Sequence, residues 1–107
     1  MDVLQYDAIL RVTYLTQAEG GRRRPIVLGE VHYGCPVSVN GSYYDCRFLS
    51  ASSSILIPGH TYEIAVKFLS PNLVLSLLHV GTSVRLRESR DIAFGHVVDV
   101  AKHESSD

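Results

Sequence analysis

The sequence predicts an all-β protein whose six or seven short strands form either a sandwich or a small closed barrel. In several segments apolar and polar residues alternate with a period of two, the pattern of strands that bury one face. Glycine, proline and Asn-Gly signals separate these segments, and none of them carries a convincing helical pattern. Closure into a barrel would remove the sheet edges that otherwise recruit other chains.

The clearest alternating segment runs from Asp7 to Leu15 and predicts the first strand. The side chains on one face of this strand are expected to point into the core: Ala8, Leu10, Val12 and Tyr14. The seven residues Glu19 to Pro25, "EGGRRRP", follow as a long turn in which Gly20 and Gly21 permit positive φ.

The middle of the chain carries two further signals of β-structure. The segment 26–34, "IVLGEVHYG", is a strand interrupted by Gly29, which indicates a bulge or a close backbone approach. Asn40-Gly41 lies between two β-rich runs and is the strongest hairpin signal in the sequence, because both residues tolerate a type I′ turn. The serine-rich stretch 50–54 is expected to be a loop.

The second half begins with a Pro58-Gly59 turn and a strand that points one row of side chains inward: Tyr62, Ile64, Val66 and Phe68. The apolar segment 72–81, "NLVLSLLHVG", is either a helical turn or a buried crossing segment, since periodicity cannot separate the two. Leu73 to Val80 would then close the barrel floor or bury a homodimer face.

The last strands are "TSVRLRES", where Val84 and Leu86 alternate with arginines, and "DIAFGHVVDV". One side of the closing strand is expected to carry its core residues: Ile92, Phe94, His96 and Val98. The chain is thus interpreted as a single domain, residues 1–107, with the barrel over about 6–100 and a polar tail at 101–107.

The length, net charge and composition of the chain argue against several classes of protein. The 107 residues carry a net charge of −1, which argues against a protein built to coat DNA or anionic lipid. No apolar run reaches membrane-spanning length, and "MDVLQYD" lacks the pattern of a signal peptide, so we expect a cytoplasmic protein with no membrane contact. Cys35 and Cys46 match neither a zinc nor a redox spacing and are expected to be reduced core thiols.

The positive charge is uneven and consists mostly of arginine, which suits flat, forked recognition of phosphate or carboxylate. Residues 22–24 are three consecutive arginines in a segment that lacks the ending of a phosphate loop. They contact RNA phosphates or an acidic protein face, or they form an ordinary solvated loop. Arg85 and Arg87 share one strand face, where they form a contact surface or pair with Glu63, Glu88 or Asp91.

The remaining polar residues predict no catalytic, metal or cofactor site. The five histidines share no ligand spacing, and His96 is expected to be a hydrogen-bonded core or rim residue. Three tyrosines near the hairpin either stack on bases or pack across strands: Tyr33, Tyr43 and Tyr44. No frame such as G-x-S-x-G singles out a nucleophile, so we expect no enzyme activity; a small enzyme would require a pocket with clustered titratable groups.

Three blocks, in order, resemble the C-terminal domain of bacterial elongation factor Tu. "TYLTQAEGGRRRPI" is similar to the family's first strand, which runs into an E-G-G-R segment followed shortly by proline. Pro58-Gly59 stands where the family has a proline-glycine turn. "SVRLRESRDIAFGHVVDV" resembles the family's closing hairpin, and the resemblance spans about Tyr6 to Val100.

The resemblance implies a closed antiparallel β-barrel of six strands that performs no chemistry. In the full-length factor this domain packs on a second barrel, touches the GTP-binding domain, helps to hold the T-stem of aminoacyl-tRNA and meets the nucleotide-exchange partner. Transferred to a stand-alone barrel, it implies contact with a translation-related protein, or with tRNA or other structured RNA, through arginine-rich loops: Arg22, Arg23, Arg24, Arg87 and Arg90.

The chain departs from the family in ways that limit this transfer. It has neither a P-loop pattern nor a second barrel. Ser89 and Arg90 occupy the two glycine places of the closing hairpin and Asp91 the arginine place, so the tRNA contact is not carried over to Asp91. The alternative hypothesis is an immunity or inhibitor-type protein that competes for partners of elongation factor Tu or neutralises a toxin.

Overall fold

Six antiparallel strands close into a barrel in the computed structural model, which describes residues 5–29 and 33–101. The described strands are β1 (Ala8–Tyr14), β2 (Ile26–Val27), β3 (Gly34–Val39), β4 (Ser42–Ala51), β5 (Ile55–Leu56), β6 (Thr61–Phe68), β7 (Ser83–Arg87) and β8 (Asp91–Val100). Neighbouring strands of the barrel follow the order β1-β6-β4-β3-β7-β8, and β8 pairs with β1 to close the ring. A separate two-stranded sheet joins β2 to β5.

Alternate side chains fill the interior of this barrel, as the sequence pattern predicts. The predicted inner row of β1 is buried, and so are Ile64, Val66 and Phe68 of β6. Val84 and Leu86 of β7 point into the same core. Since β8 returns to β1, the barrel prediction is confirmed and the sandwich alternative is wrong. No helix in the described ranges is long and apolar enough to cross a bilayer.

The β3–β4 hairpin forms at the predicted turn. Asn40 has φ 51° and Gly41 has φ 83°, the left-handed pair that a type I′ turn requires. This turn sets a register in which Cys35 lies opposite Cys46. Both cysteines are free and buried, and the Cys46 thiol donates to the carbonyl oxygen of Cys35 at 3.3 Å. The reduced core thiols are therefore found as expected.

Two predicted boundaries are wrong. The described residues of the segment 26–34 belong to two different sheets, because Ile26–Val27 forms β2, which pairs with β5, whereas Gly34 begins the barrel strand β3. Gly29 has φ 95°, and residues 30–32 lie outside the described part. The serine-rich loop begins later than predicted, because β4 continues to Ala51, paired there with β6.

The inner face of β8 also differs from the prediction. Leu86 lies opposite Ala93 and Arg87 lies opposite Asp91, so Ile92 is an extra residue, a bulge. The side chains of Ile92 and Ala93 are both buried, and the alternation beyond the bulge is therefore reversed. Ile92 points inward as predicted, whereas Phe94 and His96 lie on the outer face, and Val98 falls at a second register shift, against β1.

The apolar segment between β6 and β7 is a helical turn rather than an extended crossing. A short helix, α1 (Pro71–Val74), leads into a 3-10 turn over Leu75–Leu77. Val74 and Leu78 are buried in the core cluster, whereas Leu73 and Val80 are exposed. The predicted tail, His32 and His103 lie largely or wholly outside the described residues.

Candidate binding surface

The arginine-rich loop begins with a capped 3-10 turn. The Thr16 hydroxyl accepts a hydrogen bond from the backbone N–H of Glu19 at 3.2 Å, and the Glu19 carboxylate accepts one from the backbone N–H of Thr16 at 2.9 Å. This capping box satisfies donors that the turn would leave unpaired. The hydrogen bond from the Thr16 backbone lowers the pKa of Glu19. Glu19 therefore shapes the turn.

The two glycines that follow have different roles. Gly20 has φ 99° and ends the turn, as predicted. The backbone of Gly21 does not have positive φ, so that half of the prediction is wrong. A Cβ at Gly21 would lie 2.2 Å from the carbonyl oxygen of Leu15. Because glycine has no side chain, the loop folds back onto the end of β1 and places Arg22 there.

Arg22 joins this loop to the turn between β7 and β8. Its guanidinium forms an ion pair with the carboxylate of Glu88, and its Nε donates to the carbonyl oxygen of Arg24 at 3.0 Å. The Tyr33 hydroxyl donates to the same Glu88 oxygen, and Arg22 lies 6.0 Å from the centre of the Tyr33 ring. Sequence reasoning missed this pairing, since it offered Glu88 as a partner for the arginines of β7.

The predicted arginines divide into two groups. Arg22, Arg23, Arg24 and Glu88 line an open cleft of about 400 Å³. Arg90 follows Glu88 in a tight turn, where the Glu88 N–H donates to the Arg90 carbonyl oxygen at 2.9 Å. We call these five residues the arginine end. Among the described residues, no acidic side chain lies within 4 Å of Arg23, Arg24 or Arg90.

Arg87, the fifth predicted arginine, lies on the outer wall of the barrel. Its guanidinium donates to the Tyr43 hydroxyl at 3.0 Å and lies 5.2 Å from the centre of the Tyr43 ring. Asp91 contacts both arginines of β7, Arg85 at 3.4 Å and Arg87 at 3.5 Å. The prediction that these arginines pair with acidic neighbours is confirmed for Asp91, and Arg87 also makes an aromatic contact.

A buried polar cluster underlies the arginine end. The Tyr14 hydroxyl is buried and has no hydrogen-bond partner among the described residues. Burial raises the pKa of Tyr14 and of Tyr33, and the nearby Cys35 raises both further. Burial also raises the pKa of Cys35 to about 12. These groups are therefore neutral at physiological pH, and the charges at this end are those of the arginines and Glu88.

The tyrosines and histidines have mixed outcomes. Tyr33 packs edge to face on Phe48 at 4.9 Å, as the packing hypothesis predicts, and Tyr44 is half-buried. Tyr43 is exposed on the outer wall. His96 lies opposite Arg11 on the outer face and is half-buried, so the core alternative is wrong. Within residues 5–29 and 33–101, no three His, Cys, Asp or Glu side chains form a metal-binding group.

The fold and this surface define a closed antiparallel β-barrel that presents arginines at one end. Neither the protein-family models nor the curated proteins compared with this chain give a match.

Proposed function

We propose that the chain is a non-catalytic binding module that resembles the C-terminal domain of elongation factor Tu. It contacts a translation-related protein through the arginine end. The observation that carries the proposal is the ion pair between Arg22 and Glu88. That ion pair brings the arginine loop against the closing hairpin and leaves Arg23, Arg24 and Arg90 facing solvent.

The resemblance and the geometry support each other here. The two longest stretches that resemble the family are the "EGGRRRP" segment and the closing hairpin, and these two meet in space. A binding surface built from both segments requires them to be held together, as they are here. The six-stranded antiparallel barrel is the fold that the resemblance implies.

The charge distribution favours an acidic protein over an RNA backbone. Glu88 and Asp91 lie among the arginines, and two of the five predicted arginines are already paired with them. A regular array of phosphates would meet these carboxylates and be repelled, whereas an acidic protein face can place its charges around them. The two buried reduced thiols fit the cytoplasm, where we place the protein.

Purified translation components test the proposal directly. Immobilised protein would be presented with the nucleotide-exchange partner of elongation factor Tu, with its GTP-binding domain and with aminoacyl-tRNA, and binding would be followed optically. We expect a protein to bind and the Arg23→Glu/Arg24→Glu variant to weaken binding at least about tenfold, equal to about 1.4 kcal/mol. Lys67→Glu, an exposed charge reversal on β6, is the matched control.

The dependence of binding on salt concentration distinguishes a protein ligand from an RNA ligand. Binding to RNA falls steeply between about 50 and 200 mM salt, because condensed counterions are released. A steep response with aminoacyl-tRNA and no response with proteins would contradict the protein proposal. Equal binding by the wild type and the double variant would contradict the arginine end as its site.

The inhibitor hypothesis is tested on the same material. The chain would be added to a reconstituted translation reaction that depends on elongation factor Tu. Slowing that is relieved by excess full-length factor would assign the chain as a competitor, whereas unchanged translation would leave it as an independent binding module.

A further inference from the structure

A row of outward side chains crosses four neighbouring strands of the barrel. The strand registers place Tyr43 opposite Ser38, Ser38 opposite Arg85, and Arg85 opposite Phe94. Directly paired side chains on one face lie next to each other. The row therefore forms one continuous strip, with an aromatic ring at each end and an arginine between them.

Both aromatic rings of this strip face solvent. Tyr43 and Phe94 are each 50% exposed. The bulge at Ile92 puts Phe94 outside, since the uninterrupted alternation would have placed it in the core. A single exposed aromatic residue needs no explanation, but two of them flanking an arginine match the composition of protein interfaces, which are enriched in tyrosine, phenylalanine and arginine.

The charged side chains in and beside the strip are already held in place. Arg87 is fixed on Tyr43 by its hydrogen bond at 3.0 Å and by stacking on the ring. Asp91 lies between Arg85 and Arg87 and contacts each of them. Long side chains that are ordered before binding lose less entropy on association, so this arrangement favours recognition.

We propose that these residues form a docking surface for an acidic protein segment, and we call the surface the aromatic wall: Tyr43, Arg85, Arg87, Asp91 and Phe94. Two guanidinium groups face one carboxylate, which leaves the wall positively charged. Arg85, whose side chain is 64% exposed, is free to bind a second carboxylate. The matching partner segment presents an aspartate or glutamate flanked by apolar side chains that cover the two rings.

The spacing of the rings disfavours a nucleic-acid ligand. Three strand intervals separate Tyr43 from Phe94, about 14 Å across the sheet. Neighbouring bases of a nucleic-acid strand are about 3.4 Å apart, so adjacent bases cannot stack on both rings.

The aromatic wall is separate from the site of the proposed function. The arginine end has its unpaired charges on Arg23, Arg24 and Arg90, none of which belongs to the wall. Substitutions can therefore remove either surface and retain the other, and failure of one proposal is distinguishable from failure of the other.

A displayed library of random peptides provides the probe. Selection on the wild-type protein, with counter-selection on Phe94→Thr, is expected to enrich peptides with an acidic residue beside aromatic or branched apolar residues. A synthetic, labelled copy of the enriched peptide would then be titrated by fluorescence anisotropy. We expect Phe94→Thr and Tyr43→Ala each to raise Kd at least about tenfold.

Two control variants locate the binding. Ile55→Thr removes an apolar side chain that is 43% exposed on β5, outside the wall, and is expected to leave Kd unchanged. The Arg23→Glu/Arg24→Glu variant is expected to change Kd less than threefold. In the wild type, amide resonances of β4, β7 and β8 around the wall should shift on addition of peptide, a measurement that does not depend on the folding of any variant.

Four outcomes would overturn the proposal. These are a selection without enrichment, enriched peptides that lack acidic residues, equal binding by Phe94→Thr, and displacement of the peptide by an RNA oligonucleotide at low salt. The last would assign the wall to RNA.

Discussion

Arg22 and Glu88 are 66 positions apart in the sequence, yet their side chains form an ion pair that fixes the arginine-rich loop to the last turn of the barrel. Both side chains are about three-quarters buried, and the Tyr33 hydroxyl donates to the same carboxylate. The loop is therefore positioned by a contact that neither segment can make alone.

Glu88→Gln should loosen the loop with little effect on global stability. We expect the free energy of unfolding to fall by about 1 kcal/mol, because the pair is still partly open to water and glutamine retains an oxygen that can accept a hydrogen bond. Hydrogen exchange of the amides in residues 21–24 should accelerate, since the contact that holds the loop is weakened. Glu63→Gln, which removes the exposed Arg11–Glu63 pair, is the control and should leave this exchange unchanged. Unaltered loop exchange in Glu88→Gln would contradict the positioning role.

Tyr14→Phe should stabilise the barrel. The Tyr14 hydroxyl is buried without a hydrogen-bond partner in the described residues, and its removal ends a desolvation cost of about 1 kcal/mol or more. Tyr62→Phe is the matched comparison, because the Tyr62 hydroxyl accepts from the backbone N–H of Ile57 at 2.8 Å. The free energy of unfolding of Tyr62→Phe should therefore fall by about 1 kcal/mol. Urea unfolding measures the free energy of unfolding of both variants. A loss of stability in both would show that the Tyr14 hydroxyl has a hydrogen-bond partner.

Substitutions at the two loop glycines should destabilise the protein for different reasons. Gly20→Ala forces a side chain onto φ 99° and should cost about 1 kcal/mol. Gly21→Ala puts a Cβ against the Leu15 carbonyl and should cost about 1–3 kcal/mol, because the loop must move away from β1. Only Gly21→Ala should also weaken the contact of Arg22 with Glu88, which is measured as faster exchange in the loop. The opposite ranking would mean that the backbone moves easily at Gly21 and that its close approach to Leu15 does not hold the loop.

The buried thiols should make stability fall at alkaline pH. Burial raises the pKa of Cys35 to about 12, and the pKa of Cys46 also lies above its ordinary value. The unfolded chain loses these protons near pH 8.5, whereas the folded chain retains them until pH is much higher. The contribution of the two thiols to the free energy of unfolding is therefore fully present below about pH 8.5. It is lost as pH rises toward about 12, by up to about 1.4 kcal/mol per pH unit for each thiol.

The variant Cys35→Ala/Cys46→Ala tests the origin of this slope. Between about pH 8.5 and 10, below the ordinary tyrosine pKa, its free energy of unfolding should depend less on pH than that of the wild type. Equal slopes in denaturant titrations of the two proteins would assign the effect to other groups.

The sequence predicts the barrel well because its evidence is local. Period-two alternation in β1, β6 and β7 and the Asn40-Gly41 turn each need only a few neighbouring residues. The inner face of β8 is mispredicted because the bulge at Ile92 is defined by pairing with β7, and a one-residue shift exchanges every later side chain between faces. β2 is mispredicted for a related reason, since its partner β5 lies far along the chain.

The sequence predicts the arginines of the candidate surfaces but not the contacts that arrange them. The arginine clusters are visible in the sequence, and four of the five predicted arginines belong to the arginine end. The pairing of Arg22 with Glu88 and the stacking of Arg87 on Tyr43 depend on contacts between distant segments. No spacing along the chain carries that information, just as no spacing reveals the bulge that moves Phe94 from the predicted core to a contact surface.

The bulge at Ile92 also decides how this surface responds to a change in the length of β8. Because Ile92 is the extra residue, loss of its codon would leave Ala93 opposite Leu86 and Phe94 opposite Arg85, so the aromatic strip would stay on the outer face while the core lost one side chain. Proteins that share this barrel can therefore differ by one inserted or deleted residue at this place and still present the same outer strip, without any change in topology.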